Sequence, residues 1–364
     1  MTRDYSQFFS SSLQGAGSER PLSKIESLGW QPFFAQQISV EEMAQMPPVR
    51  VVEVHRSALH VIGDDIDQTI PSRPDVTVGD WLLLDSKLPA SSRLLERKSL
   101  LKRRAPGTDR QLQLIAANID TAFIVSSCNQ DFNIARLERY VALAFEAEIT
   151  PVIVLTKADL TSASEDYLAQ AEAISDRVAV VTLDARGEEP KVKLGEWCKP
   201  GQTLACLGSS GVGKSTLINA LAGIETIRTQ GIREDDAKGR HTTTRRQLHV
   251  VPGGCLVLDT PGMRELQLTD AASGIEDLFA DLHQLSSQCK FGNCQHVTEP
   301  GCAVLQALES GEIDERRLKR WRKLLAEEAL NSATLAERRS KDKAFGKMVR
   351  QVIKQQDKRK WDKG

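Results

Sequence analysis

The sequence predicts a multidomain chain in which a small β-barrel, an α/β core and a small, mainly helical unit follow one another. A length of 364 residues allows two or three domains. Short β-rich runs separated by turn signals fill much of the first third of the chain, and strand and helix patterns alternate from residue 118. Further along, three cysteines and one histidine fall within residues 289–302. These three patterns indicate three kinds of fold in one chain.

The composition is that of a soluble globular protein, with 40% hydrophobic and 27% charged residues. No run approaches the roughly 18 apolar residues that a membrane helix needs. Residues 1–45, which we interpret as an N-terminal arm, contain no apolar core of a signal peptide. Seven cysteines, three of them close to one histidine, do not suggest a secreted disulfide framework. We therefore expect a cytoplasmic protein.

Charge is unevenly distributed along the chain. The net charge of −1 gives no overall sign of nucleic-acid binding. Residues 331–364, however, carry 11 Lys or Arg against 4 Asp or Glu, a local net charge of +7, and are interpreted as a basic C-terminal tail or helix. Such a segment can neutralise nucleic-acid phosphates, although a charge run is as often only a solvated surface.

Residues 46–108 are predicted to form the small β-barrel. The β-rich runs lie at 49–54, 58–62, 76–85 and 93–97. Several short strands separated by turn residues favour a closed or partly closed barrel. The alternative is a β-rich extension that only packs on the next domain.

Residues 109–270 are predicted to form the α/β core. Strands are expected at 119–125, 151–155, 178–183 and 203–207, with helices at 134–144 and about 163–175. Alternating strands and helices imply a parallel sheet covered on both faces. Ligands of such sheets bind at the carboxyl ends of the strands. Each of the motifs described next follows a predicted strand.

A phosphate-binding loop is predicted at residues 208–215, which read GSSGVGKS between a strand and a helix. Backbone amides of such a loop and the helix N-terminus hold phosphate oxygens. Lys214 is expected to reach the β- and γ-phosphates and Ser215 to ligate Mg²⁺. The predicted nucleotide-binding residues of this loop are Gly208, Ser209, Ser210, Gly211, Val212, Gly213, Lys214, Ser215 and Thr216.

Two further motifs complete the nucleotide site. Asp259-Thr260-Pro261-Gly262 follows an apolar strand, so Asp259 is expected to hold Mg²⁺ through water and the Gly262 amide to meet the γ-phosphate. Thr156-Lys157-Ala158-Asp159 selects the base, because one carboxylate can accept from both the ring and the exocyclic N–H of guanine. Adenine offers no such pair of donors. We therefore predict that Thr156, Lys157 and Asp159 bind guanine nucleotide, while a strand-end turn without this role remains the alternative.

The order of these motifs is rotated. The guanine motif lies some fifty residues before the phosphate loop, whereas an ordinary GTPase has it last. A folded domain tolerates such a rotation when its original termini lie close together. The sequence therefore predicts a circularly permuted GTPase core.

The switch and the catalytic group are less well defined. A switch needs a threonine that engages Mg²⁺ and the γ-phosphate, and Thr242, Thr243 and Thr244 are adjacent candidates, of which we take Thr243 and Thr244 as nucleotide-binding. Met263 follows the DTPG motif where a water-orienting glutamine might stand. His241 is the candidate catalytic residue, and a purely structural role in the loop is at least as plausible for it.

A metal site is predicted from Cys289, Cys294, His296 and Cys302. Three thiolates and one imidazole form the closed ligand set that structural zinc prefers, whereas catalytic zinc keeps a position open. Free buried cysteines are the alternative. The surrounding residues 271–330 are predicted to be mainly helical, with a charged helix over 315–328.

Taken together, these residues resemble the ribosome small-subunit-dependent GTPase A (RsgA, or YjeQ) family of circularly permuted GTPases. The resemblance rests on the VGDW-bearing barrel, TKAD, GSSGVGKST, GRHTTT, DTPG and the cysteine–histidine cluster, in that order. Thr156 in place of the commoner Asn departs from the family pattern. So do the long N-terminal arm and residues 183–186, which match a second base-contacting loop poorly.

The resemblance implies an N-terminal OB-fold, a permuted GTPase core and a C-terminal zinc-binding domain. It also implies GTP hydrolysis that the 30S ribosomal subunit stimulates, late in the maturation of that subunit. The expected partners are the 30S subunit, its 16S rRNA, and GTP or GDP with Mg²⁺, for a chain that acts as a monomer. The rival hypotheses are a non-catalytic, GTP-binding RNA scaffold and a P-loop kinase, for which no acceptor site is evident.

Overall fold

A computed structural model describes residues 22–104, 112–222, 246–251, 253–259 and 270–332. Its N-terminal part begins with three short helices, α1 (Lys24–Ser27), α2 (Pro32–Ala35) and α3 (Val40–Gln45). Helices α1 and α3 each start with a capping box, formed by Ser23 with Glu26 and by Ser39 with Glu42. Aromatic side chains anchor this segment, because the rings of Trp30 and Phe34 lie 4.8 and 5.8 Å from that of the buried Trp81.

Seven strands follow. They are β1 (Pro48–Val54), β2 (Ala58–Ile62), β3 (Asp67–Pro71), β4 (Trp81–Leu83), β5 (Arg93–Leu94), β6 (Leu100–Arg104) and β7 (Leu112–Ala117). Strands β1 to β5 form one antiparallel arrangement in the order β3–β2–β1–β4–β5, and β6 and β7 form a separate antiparallel pair. The apolar side chains of the five-stranded arrangement enclose a small core that includes Val49, Val51, Leu59 and Leu82.

Strand β1 joins this arrangement to the rest of the protein. One edge of β1 pairs with β2, with an irregularity between Val51 and Glu53. Its other edge is shared, since Pro48–Arg50 pair with β4, whereas Glu53 and Val54 pair with strand β12 (Arg246–Val250) of the α/β core. The two sheets are therefore continuous through backbone hydrogen bonds.

The core sheet has the order β10–β9–β8–β11–β13–β12. Its elements are β8 (Thr121–Ser127), α4 (Ile134–Glu146), β9 (Thr150–Thr156), α5 (Ser164–Glu172), β10 (Ala179–Thr182), α6 (Glu189–Leu194), β11 (Thr203–Leu207), α7 (Lys214–Ala222) and β13 (Leu256–Asp259). Strands β8 to β11 and β13 pair in parallel, and β12 pairs antiparallel with β13. Because the parallel strands are buried on both faces, they consist of nearly continuous apolar runs.

A helical unit closes the described chain, with α8 (Ala272–Leu278), α9 (Ala280–Ser287), α10 (Ala303–Glu309) and α11 (Glu315–Ser332). Helix α8 packs tightly on α4, because a Cβ atom at Gly274 would lie only 2.0 Å from the Ala142 carbonyl oxygen. Within the described residues, no helix is both long and apolar enough to span a bilayer.

Buried Arg50 connects three parts of the molecule. Its guanidinium donates to the carbonyl oxygens of Leu28, Gly79 and Asn118, and to the Thr203 hydroxyl at the start of β11. Burial lowers the pKa of Arg50 to about 10, with Asp120 and Asp80 opposing the shift, so the group stays charged at neutral pH. A buried charge persists where such hydrogen bonds compensate its desolvation.

Candidate nucleotide and metal sites

The phosphate loop (residues 208–215) connects β11 to α7. Gly208, Gly211 and Gly213 have φ values of 141°, 77° and 96°, a region that glycine adopts without the cost borne by other residues. At Gly208 space is limiting as well, since a Cβ atom there would lie 2.3 Å from the Val125 carbonyl oxygen. The loop glycines are thus required by backbone conformation as well as by the motif.

The guanine motif (residues 156–159) begins at the end of β9 and contacts the phosphate loop through two side chains. The fully buried Thr156 donates its hydroxyl to the Val212 carbonyl oxygen at 2.6 Å, with the Ser126 carbonyl 3.2 Å away. Lys157, at a φ of 59°, extends its side chain so that Nζ donates to the Gly211 carbonyl at 2.9 Å. Two loops that are far apart in sequence are therefore bound directly to each other.

Lys214 lies over the phosphate loop. Its ammonium donates to the Gly208 carbonyl oxygen at 2.9 Å and to that of Ser209. Ser215 and Thr216 lie in the first turn of α7, and Ser210 and Val212 lie within the loop, exposed and buried respectively. These are the positions that the sequence predicts for phosphate and Mg²⁺ ligands.

The segment 183–186, which matched a base-contacting loop poorly in sequence, does reach the guanine motif. Arg186 Nη2 donates to Asp159 Oδ2 at 2.6 Å. The same guanidinium holds Asp184 through two hydrogen bonds of 3.0 and 3.1 Å, and these hydrogen bonds lower the pKa of Asp184. The position of this segment, rather than its composition, could have predicted the contact. It follows β10, the parallel neighbour of β9, so the loops after these two strands lie at the same edge of the sheet.

A second arginine at the site also escaped sequence reasoning. Arg136, in the first turn of α4, donates from Nη1 to the Ser209 hydroxyl of the phosphate loop at 2.5 Å. No motif includes Arg136, which lies 73 positions before its partner.

Several predicted residues cannot be placed. His241, Thr243, Thr244 and Gly262 lie outside the described residues, and so does the side chain of Asp259, although its backbone ends β13. Strand β13 pairs in parallel with β11, so Asp259 and the phosphate loop lie at the same edge of the sheet. That edge is where ligands of such sheets bind.

The four metal-ligand candidates come together. The ligand atoms of Cys289, Cys294, His296 and Cys302 all lie within 4.8 Å of one another. Cys289 Sγ lies 3.8 Å from Cys302 Sγ, and His296 Nδ1 lies 3.6 Å from the former and 3.4 Å from the latter. Ligands around a tetrahedral zinc lie about 3.4 to 3.8 Å apart when the bonds are about 2.0 to 2.3 Å. The spacing of Cys289, His296 and Cys302 therefore fits a zinc ion, and Cys294 Sγ lies within 4.8 Å of these three ligand atoms.

The surroundings of the cluster also suit a metal. Burial lowers the pKa of His296, which favours the neutral imidazole that binds metal, and its ring lies 5.3 Å from that of Trp321 in α11. The Glu299 carboxylate accepts hydrogen bonds from the backbone N–H groups of Gln295, Val297 and Thr298. These hydrogen bonds lower the pKa of Glu299 to about 2. The loop between the ligands is thereby held in one conformation.

The fold and these loops define a P-loop GTPase with a circularly permuted chain and a mixed sheet, because β9 and its guanine motif precede β11 and the phosphate loop. The family model of the RsgA GTPase matches residues 94–269. A model of the ABC transporter family matches residues 194–348, a range that includes the phosphate loop but not the guanine motif.

Curated relatives and solved structures agree with the first match. Small ribosomal subunit biogenesis GTPase RsgA 2 of Vibrio vulnificus is 48% identical over 346 residues, covering 94% of this chain and 98% of that protein. RsgA of Mesorhizobium japonicum is 50% identical over 316 residues, covering 85% and 91%. The structure of YjeQ from Thermotoga maritima superposes with a TM-score of 0.55 at 26% identity, covering 77% of this chain and 97% of that one. YloQ, described as a circularly permuted GTPase, has a similar fold, with a TM-score of 0.53 at 24% identity, covering 82% and 100%.

The chain therefore belongs to the RsgA family of GTPases, and it is a GTP hydrolase. The predictions of a permuted GTPase core and of GTP hydrolysis are confirmed.

Proposed function

We propose that this GTPase binds the 30S ribosomal subunit, is stimulated by it to hydrolyse GTP, and acts late in small-subunit maturation. The observation that carries the proposal is the match, over nearly the full chain, to relatives named small ribosomal subunit biogenesis GTPase. Binding to 16S rRNA, a monomeric state and a cytoplasmic location belong to the same proposal.

The proposal includes a domain organisation. Residues 46–108 form an OB-fold, 109–270 the permuted GTPase domain and 271–330 the zinc-binding domain, between an arm (1–45) and a basic tail (331–364). The antiparallel order of β1 to β5 around a shared apolar core supports the OB-fold. The geometry of the cysteine–histidine cluster supports one structural zinc ion.

Surfaces on both sides of the core suit an RNA partner. An OB-fold is a common nucleic-acid platform. In α11, the exposed Arg316, Lys319 and Lys323 recur at helical spacing and lead toward the basic tail. Lysines and arginines placed in this way bind phosphates without reading sequence.

The nucleotide site would work through the residues of the predicted motifs. Lys214 and the loop amides bind the β- and γ-phosphates, Asp159 accepts the guanine N–H groups, and Lys157 lies along the base. Mg²⁺, held by Ser215 and through water by Asp259, would neutralise the charge that develops on the phosphates. In the switch, Thr243 or Thr244 contacts the γ-phosphate and His241 acts at the water, a role that we propose because Met263 cannot orient water.

Comparing GTP turnover with and without purified 30S subunits tests the proposal. Subunits should raise turnover of the wild-type protein, whereas Ser215→Ala should stay inactive in both conditions because it lacks the Mg²⁺ ligand. Turnover that is unchanged at every subunit concentration would refute the ribosomal role. Activity that persists in Ser215→Ala would refute the site assignment instead.

A further inference from the structure

Arg136 contacts the phosphate loop from outside the nucleotide-binding motifs. Its guanidinium donates to the Ser209 hydroxyl at 2.5 Å, and the carbonyl of the same Ser209 accepts from Lys214. The backbone of Arg136 is fixed as well, because its N–H donates to the N-cap side chain of Asn133 at 3.0 Å. A half-buried arginine on a capped helix is therefore bound to the second residue of the loop.

The helix that carries Arg136 is held by the C-terminal helical unit. Glu138 is fully buried, and both of its oxygens lie 2.8 Å from Arg320 Nε of α11. Arg139 Nη2 donates to Glu327 Oε2, also on α11, at 2.5 Å. Two consecutive residues of α4 thus form ion pairs with one helix of the unit that carries the metal cluster.

Helix α8 holds the far end of α4. The Gly274 N–H donates to Glu146 Oε2 at 2.9 Å, beside the close approach of Gly274 to the Ala142 carbonyl. Helices α8 and α11, which follow the GTPase motifs in sequence, therefore both pack on α4. The first turn of α4 contacts the phosphate loop. Closely packed interiors have low compressibility and transmit strain, so a shift at one end of α4 is felt at its other contacts.

We propose that Arg136 is a positioning residue of the nucleotide site, which holds the phosphate loop ready for nucleotide and ties that loop, through α4, to helix α11. Three loop glycines in the left-handed region make the loop costly to order. A charge-assisted hydrogen bond that orders it beforehand reduces the cost at binding. The inference rests on GTP binding by this site and not on the ribosomal partner.

A double-mutant cycle on Arg136 and Ser209 tests the contact. Arg136→Met keeps the aliphatic stem but removes the donors, and Ser209→Ala removes the acceptor. Each should weaken binding of a fluorescent GDP analogue about three- to tenfold, the net effect of losing an ordinary hydrogen bond, because solvent screens the charge at this partly exposed site. The double variant should bind no more weakly than Arg136→Met alone, because both changes remove the same contact. Lys191→Met, which removes an exposed lysine of α6, is the matched control and should bind normally.

Additive effects of the two changes would overturn the proposal, as would unchanged affinity in Arg136→Met. A loss of turnover at unchanged GDP affinity would also overturn it, because Arg136 would then act on the reaction and not on the loop. Arg136→Lys separates charge from geometry: it should restore part of the affinity, since an ammonium makes one hydrogen bond but lacks the planar fork.

The link to α11 is tested at Glu327, whose pair with Arg139 is partly exposed and can be removed without leaving a fully buried charge. Glu327→Gln should weaken GDP binding about twofold, as expected for a partly exposed ion pair, and should have no effect in the Arg136→Met background. Glu315→Gln, which removes an exposed carboxylate of the same helix, is the matched control and should bind GDP normally. An equal effect of Glu327→Gln in both backgrounds would show that α11 does not act through Arg136. All measurements omit ribosomal subunits, so a failure of the proposed ribosomal function leaves this test intact.

Discussion

Thr156→Val should show how much the hydrogen bond between the guanine motif and the phosphate loop stabilises the nucleotide site. The threonine hydroxyl is fully buried and donates to the Val212 carbonyl at 2.6 Å, which links the guanine motif to the phosphate loop. Valine has nearly the same shape and removes only the hydrogen bond. Leaving a buried carbonyl without its donor costs about 1 to 3 kcal/mol. We expect the free energy of unfolding in urea to fall by that amount, measured with the nucleotide-free protein.

Nucleotide affinity should fall with it, because the phosphate loop loses a contact that orders it before binding. Thr156→Ser is the matched control, since it keeps the hydroxyl and should retain GDP affinity while losing one methyl group. Thr156→Asn introduces the commoner family residue and should also retain affinity if its amide donates to the Val212 carbonyl. If Thr156→Val unfolds at the same urea concentration as wild type and binds GDP equally well, the interloop hydrogen bond does not stabilise the site.

Two further predictions concern the metal cluster and the guanine motif. Cys294→Ser, or a strong chelator, should remove one equivalent of zinc per chain and lower the thermal midpoint by several degrees, because a structural metal site contributes directly to folding. Unchanged zinc content by atomic absorption would contradict the ligand assignment. Arg186→Met should raise GDP affinity about two- to fivefold, since Arg186 donates to the same Asp159 carboxylate that guanine needs and such exposed pairs are weak. A fall in affinity would instead mean that Arg186 helps to hold the base.

The sequence was most informative where chemistry demands particular residues in a row. The phosphate loop and the cysteine–histidine cluster stand out as local patterns, and the structure brings the ligand atoms of the cluster together. Strand positions in the core were also close, because buried parallel strands leave long apolar runs. In these cases the determinant of structure lies within a few neighbouring residues.

What the sequence did not reveal depends on contacts between distant residues. Strand β3 falls between the β-rich runs predicted at 58–62 and 76–85, because only Ile70 of its side chains is buried and its sequence shows no alternation. Helices α1 to α3 are too short for a helical period and are held by Trp81, far along the chain. Arg136 and Arg186 join partners 73 and 27 positions away, and a surface arginine carries no mark of its partner.

The permuted order has a structural consequence that sequence could only suggest. The chain that follows β13 leads into α8, and α8 packs against α4 so closely that no side chain fits at Gly274. At the other side of the core, β12, which follows the predicted switch, pairs with β1 of the N-terminal sheet. One apolar core also runs without interruption from Ile25 of α1 to Leu324 of α11. In the part of the chain that the structure describes, the flanking units therefore pack on the GTPase core, at β12 and α4. Among the described residues, β12 and α4 connect the core to these flanks, and Arg136 is the contact through which we expect α4 to respond to a change in the phosphate loop.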